Sequence, residues 1–183
     1  MTQTTDSSAA FDELSREQVE GFADKFLAAW NSHDPSQLVA LSTADVLWED
    51  PYIEGGRLVG HQALSDWLSS VWRSMPDLTF EIVGSLHLAL DQRSAMVNWR
   101  GVGTMTGELR PPGFAPTNGR VEMLGADTHW MRDGKLAHVL TVTDVMAVGR
   151  QIGAAPQPGS RAERMGIVMQ RLAARKMRKS ASA

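Results

Sequence analysis

The stretch Asp133–Gly153, DGKLAHVLTVTDVMAVGRQIG, is the part of the sequence on which the fold turns. It opens on Asp133-Gly134, a pair that favours a tight reversal because glycine adopts positive φ without steric penalty. Leu136, Val139, Leu140 and Val142, with Thr141 and Thr143 among them, then give the apolar and β-branched chemistry of a strand. Asp144 ends that strand and is placed to cap the short helical turn leading to Gly149-Arg150-Gln151-Ile152-Gly153. The preceding segment, Arg120–Trp130, is also strand-like, so the two form a hairpin. Its register is open. A three-residue loop through Asp133–Lys135 sets Asp127 opposite Thr141, whereas a two-residue Asp-Gly turn sets Asp127 opposite Leu140 and His129 opposite His138.

Further upstream, Leu78–Leu90 and Ser94–Met105 read as two long strands joined by Asp91-Gln92-Arg93, and the proline-rich Pro111–Gly119 as a loop. The first third of the chain has helical periodicity instead. Ser15-Arg16-Glu17-Gln18 is a capping box, and Val19, Phe22, Phe26 and Trp30 follow at helical spacing, which predicts an amphipathic helix over Ser15–Asn31. Asp34-Pro35 starts a short second helix carrying Leu38 and Leu41. Val46–Pro51, VLWEDP, is a short strand closed by proline. A glycine loop, Gly55-Gly56 to Gly60, leads into a third helix over His61–Met75. Its apolar face is Leu64, Trp67, Leu68, Val71 and Met75, with Trp72 offset and Pro76 as the stop.

Composition narrows the function classes. A chain of 183 residues with 43% hydrophobic residues, six Trp and ten Met suits one domain with an apolar interior. No run approaches the roughly 18 apolar residues of a membrane span. Met1–Ala10 is polar, which predicts a disordered terminus rather than a signal peptide. The absence of Cys excludes disulfide and thiol chemistry and fits a cytoplasmic location. From Ser160 onward seven basic residues face the single acid Glu163, a formal charge of +6, which leaves 11 basic and 20 acidic residues, −9, on the remainder. An acidic body argues against nucleic-acid binding. After the linker Pro156–Gly159, Ser160 caps a basic helix to about Arg178, with Met165, Val168, Met169 and Leu172 on one side. That helix suits packing on the acidic body or a partner subunit better than an anionic membrane, because its apolar stripe is short and carries no Trp or Phe. The five His show no HxH or HxxxH spacing, and GxSxG, GxGxxG and P-loop patterns are missing, so metal, nucleophile-elbow and nucleotide chemistry have no support.

The order Asp133-Gly134-Lys135, strand, Asp144, Arg150-Gln151-Ile152-Gly153, preceded by Thr104-x-x-Gly107, Pro116-Thr117 and Gly119-Arg120, resembles the SnoaL-like branch of the nuclear transport factor two superfamily. The resemblance covers Phe11 to Gly153, with an inserted Asn118 as a small departure. It implies an α+β fold in which three N-terminal helices pack on a strongly curved antiparallel sheet, forming a cone-shaped barrel with an apolar pocket. Helices first and strands later agree with that class. The resemblance also implies a hydrophobic small-molecule ligand, a homodimer, and proton-transfer chemistry without a cofactor or metal.

Candidate residues follow from both readings. Asp50 falls where ketosteroid isomerase, a more distant relative, keeps its base within a Glu-Asp-Pro, and Trp48 and Tyr52 beside it supply desolvation that raises a carboxylate pKa. Its other reading is a turn residue capping backbone amides. Phe26 stands where that isomerase has its oxyanion-holding Tyr. The cyclases of the family have an acid/base Asp that here becomes Thr141, and a partner His that becomes Asp127. Asp50 and Asp127 are thus the catalytic candidates, and Phe26, Trp30, Trp48, Tyr52, Trp67, Trp99, His129 and Thr141 the candidate substrate-binding residues. Two functions remain open: an acid–base enzyme of cyclase or isomerase type, supported by the two Asp, and a non-catalytic binding or dimerisation module, supported by Thr141 and Phe26.

Overall fold

The helices form where their caps and apolar spacing place them. The computed structural model describes residues 11–181, and the disordered N-terminus expected for residues 1–10 lies outside the described residues. Helix α1, Arg16–Asn31, starts at Ser15, whose hydroxyl accepts the Gln18 N–H while the Gln18 side chain accepts the Ser15 N–H. Its buried face carries Val19, Ala23, Phe26 and Trp30. Helix α2, Pro35–Ala40, follows Asp34, whose carboxylate accepts the Ser36 N–H at 2.9 Å. Helix α3, His61–Ser74, buries Leu64 and Leu68 completely. Trp72, expected off the apolar face, is buried too: its ring stacks on His33 and meets Trp30 edge-on, because α3 is covered on more than one side.

Seven described strands follow: β1 (Ser42–Glu49), β2 (Arg57–Val59), β3 (Thr79–Ile82), β4 (His87–Leu88), β5 (Ala95–Thr104), β6 (Arg120–Arg132) and β7 (Lys135–Thr143). They form one sheet in the order β2-β1-β7-β6-β5-β3, with β4 also on β5. The sheet curls without closing, so β2 and β3 remain edges. Every pairing is antiparallel except β1 with β7, which is parallel. No short turn joins those two strands, so nothing enforces the hairpin direction there. Strand β1 begins at Ser42, earlier than the sequence suggests, because pairing with β7 recruits residues of weak strand propensity. The expected long strand Leu78–Leu90 is broken into β3 and β4 at Gly84, whose φ of +76° lies outside the strand region.

The β6–β7 hairpin combines both expected registers. Asp133 (φ 54°) and Gly134 (φ 71°) form a two-residue turn with left-handed φ at both positions, as a type I′ reversal requires. Trp130 then pairs with His138 but Met131 with Leu136, which leaves Ala137 as an extra residue in β7. That bulge restores the pairing of Asp127 with Thr141.

Asp144 caps α4, Val145–Gln151, by accepting the Ala147 N–H at 2.9 Å. The basic helix α5 runs Arg161–Ala181, with the Ser160 hydroxyl accepting the Glu163 N–H. Its Met165, Val168, Met169 and Leu172 are 50–64% exposed, so the expected packing on the acidic body of the same chain does not occur at these residues. Their small apolar area offers little to offset the entropy of docking the helix. No described helix is long and apolar enough to cross a membrane.

The core lies between α1, α3 and the concave face of the sheet, around Trp30, Trp48, Leu64, Leu68, Leu136 and Val139. Gly125 in β6 is part of its construction, since a Cβ there would sit 2.3 Å from the Trp99 ring. Gly125→Ala is expected to displace that indole and to destabilise the fold by about 1–3 kcal/mol. Urea unfolding followed by tryptophan emission measures both effects, and an unchanged midpoint would show that Trp99 is not held there.

Candidate active site

Three strands bring the chemistry together. Asp127 and Thr141 face one another across β6 and β7, and the Thr141 hydroxyl donates to Asp127 Oδ1 at 2.8 Å. Trp48, on β1, donates its indole N–H to the same hydroxyl oxygen at 3.3 Å. The last β1–β7 pair is Glu49 with Leu140, so Asp50, one residue further along a parallel strand, comes level with Thr141. The Thr141 hydroxyl interacts with Asp50 as well. One hydroxyl proton cannot serve two carboxylates at once, so the Asp that lacks it gains by keeping its own proton.

Asp50, Asp127 and Thr141 lie in the wall of a cavity of about 100 Å³. Most of the remaining wall is apolar or aromatic, and it includes Phe26, Trp30, Trp48, Tyr52, Trp67 and Trp99. Asp50 is 7% exposed and Asp127 4% exposed. Burial pushes the Asp50 carboxyl up to about 6, against the opposing Tyr52 N–H and Thr141 hydroxyl. Burial likewise lifts Asp127 to about 7, with the Trp99 indole and Thr141 favouring its charged form and the Asp50 charge disfavouring it. Both carboxyls are thus raised toward neutrality, and the charge of one disfavours ionisation of the other. Asp50 also fills the turn role considered from sequence, because its Oδ1 accepts the Tyr52 N–H at 2.7 Å.

His129 is the exception among the candidates. It does not line the cavity but packs against Phe22 and Phe26 in the hydrophobic interior, its ring 4.6 Å from that of Phe26. Alternation along β6 puts it on the same face as Asp127, with Nε2 4.0 Å from Asp127 Oδ2, yet two residues further along the strand and beneath α1. Burial lowers its pKa to about 3, which keeps the imidazole neutral. Cavity residues that sequence reasoning passed over include Phe80, Met105, Phe114, Met123, Val148 and Ile152. Val148 and Ile152 share a helical i, i+4 spacing that signals a common face; the others come from strands and a loop and carry no comparable local signal.

Three buried polar atoms near this region, Tyr52 Oη, Trp99 Nε1 and His129 Nε2, lack a hydrogen bond of good geometry, although Tyr52 interacts with Thr143 and Trp99 with Asp127. Tyr52 and Trp99 belong to the cavity wall. Burial raises the Tyr52 phenol to about 12, so it remains a hydrogen-bond donor at neutral pH. Among the described residues no three His, Asp or Glu side chains converge as metal ligands.

A family model for the SnoaL-like domain matches residues 23–139. Among solved structures the fold is similar to TsrD from Streptomyces laurentii, at 22% identity and a TM-score of 0.65 over 78% of this chain and 99% of that one. AclR from Streptomyces galilaeus, described as a candidate hydroxylase, is 20% identical with a TM-score of 0.65 over 78% of this chain and 89% of that one. A candidate SnoaL-like polyketide cyclase from Jannaschia sp. CCS1 is 16% identical with a TM-score of 0.64 over 79% and 99% of the respective chains. Among curated proteins none matches the chain. At these identities the structural likeness establishes the fold, not an activity.

The buried carboxyls make a stability prediction with a definite sign. Each binds its proton more tightly folded than unfolded, so its stabilisation is complete below the usual value of 3.8 and is lost as pH rises through about 6 for Asp50 and about 7 for Asp127. Buried neutral His129 acts oppositely, costing stability as pH falls from 6.5 toward about 3. At pH 8 that second effect is absent, because His129 is neutral in the folded and the unfolded chain alike. Asp127→Asn should therefore be more stable than wild type at pH 8, on the order of a few kcal/mol at about 1.4 kcal/mol per pH unit. The gap should close near pH 4. Thermal unfolding at both pH values checks it, and equal midpoints at pH 8 would refute the burial argument.

Proposed function

This chain belongs to the SnoaL-like domain family, and from that premise we propose that it is an acid–base enzyme of cyclase or isomerase type acting on a hydrophobic polyketide- or steroid-like substrate. The observation that carries this reading is the pair of buried carboxyls, Asp50 and Asp127, sharing one Thr141 hydroxyl inside an apolar cavity. Asp50, whose carboxylate accepts the Tyr52 N–H and stands where the isomerases keep their base, acts as the base, and the more deeply buried Asp127 acts as the proton holder. The Asp50 carboxylate takes a proton from the carbon beside a substrate carbonyl. The C–H electron pair becomes the enol C=C bond, and the carbonyl oxygen takes the Asp127 proton, assisted by the Trp99 N–H. The enol carbon then either regains a proton at a different position, which is isomerisation, or attacks a second carbonyl of the same molecule, which closes a ring. In ring closure the new alkoxide oxygen takes the proton held by Asp50, and the enol O–H returns its own to Asp127. No cofactor is needed for these steps, and the cysteine-free composition suits a cytoplasmic setting.

A second reading, a non-catalytic ligand-binding module, is favoured by Thr141 at the position where the related cyclases carry their acid. Hydrogen–deuterium exchange at the α-carbon of a small cyclic 1,3-diketone, followed by NMR, separates the two. Asp50→Asn is expected to slow the protein-dependent exchange by about 10²–10⁴, the usual cost of losing a positioned base. The pH profile should be a bell with its maximum between about 6 and about 7, because Asp50 must be ionised and Asp127 protonated. Exchange that survives both Asp50→Asn and Asp127→Asn within a few-fold would leave the binding module. Native mass spectrometry of protein purified from its own host would identify the natural ligand.

We further propose a homodimer through the outer face of β6 and β7, where Leu124 (57%), Leu140 (37%) and Val142 (63%) are exposed side by side. The double change Leu124→Glu and Val142→Glu should give a monomer by light scattering at tens of micromolar. A wild-type monomer at the same concentration would overturn the dimer.

A further inference from the structure

The cavity that holds Asp50 and Asp127 is small. Its 100 Å³ is of the same order as the roughly 150 Å³ cavity that holds a single benzene. It therefore holds no more than about one ring, and a larger hydrophobic molecule must continue outside. A second hollow of about 600 Å³ adjoins it, bounded by the turn Pro51-Tyr52-Ile53-Glu54, by Pro112 and Phe114 of the proline-rich loop, and by α4 with Ala154-Ala155. Tyr52, Leu109, Phe114, Val148 and Ile152 line both spaces, so the two lie against one another across these side chains. The outer wall is apolar apart from Glu54 and the Tyr52 hydroxyl, and it leaves Val145 and Met146 40% and 52% exposed. Tyr52 stands between the two spaces, and its buried hydroxyl, which interacts with Thr143, makes no hydrogen bond of good geometry.

Building on the acid–base reading, we propose that the substrate has two parts. A cyclic ketone or diketone head occupies the inner cavity with an oxygen near Tyr52 Oη, and an unbranched apolar chain runs past Tyr52 into the hollow beside α4. Adjacency to the carboxylate cavity selects this occupant over a second copy of the chain. The hollow shares five lining residues with that cavity, whereas the exposed apolar stripe of Leu124, Leu140 and Val142 lies on β6 and β7 and contributes nothing to its wall. A ligand chain there also explains apolar side chains exposed in a concave surface rather than on a flat one.

The test is titration calorimetry with 1,3-cyclohexanedione carrying at carbon 2 either hydrogen, n-butyl or n-octyl. Affinity should tighten by about threefold to fourfold for each methylene buried, until the hollow is filled. Met146→Lys and Val145→Lys should each flatten that dependence on chain length, while Met146→Leu keeps it; near-UV circular dichroism confirms that each variant is folded. If all three compounds bind wild type equally well, the two-part substrate is wrong and the acid–base site stands. If the unsubstituted ring neither binds nor exchanges its α-protons, the acid–base reading fails and this inference falls with it. A chain-length gain retained in both Lys variants overturns the placement beside α4. Loss of oligomer mass in Met146→Lys assigns the hollow to a second copy instead.

Discussion

A 2.8 Å hydrogen bond from Thr141 to Asp127 ties the two central strands of the sheet together inside an apolar cavity. Its geometry depends on the Ala137 bulge, which brings Asp127 level with Thr141 after a two-residue turn that would otherwise pair Asp127 with Leu140. Because side chains alternate along a strand, a register displaced by one would leave Asp127 and Thr141 unmatched across the cavity face. The same hydroxyl receives the Trp48 indole and meets Asp50, so it connects β1, β6 and β7 at one point.

The energetics of that point are unfavourable to folding near neutral pH and favourable to chemistry. Two carboxyls in a wall that carries eight aromatic side chains lose their hydration and find few donors in return. Their proton affinity rises toward neutrality, where small differences between the two decide which one is ionised. The surrounding rings pack edge-to-face and offset, as between Trp30 and Trp67 or Phe26 and Trp48, which fills space while leaving a hollow lined by ring surfaces. Gly125 and Gly101 make room for two of these rings, Trp99 and Phe80, where a Cβ would collide.

Charge divides the molecule differently. The body is acidic and α5 basic, yet the apolar residues of α5 stay exposed, so opposite net charge alone does not dock the helix on its own chain. Ion pairs of exposed side chains contribute little in water, and a short apolar stripe adds little area.

How much of this was legible beforehand depends on the range of the forces involved. Capping at Ser15, Asp34 and Asp144, the apolar face of α1 and the Asp133-Gly134 turn are set by residues within four positions of one another, and the sequence alone determined them. The family pattern supplied the α+β class and pointed to Asp50, Asp127 and the aromatic wall. Other features required contacts between distant segments: the parallel pairing that brings Asp50 level with Thr141, the bulge at Ala137, the burial of Trp72, and the withdrawal of His129 from the cavity. Trp48 and Thr141 are 93 residues apart in the chain, and no local propensity specifies which side chains such segments bring together. Only the packed sheet, with its register set by the bulge and by the aromatic core, made that choice.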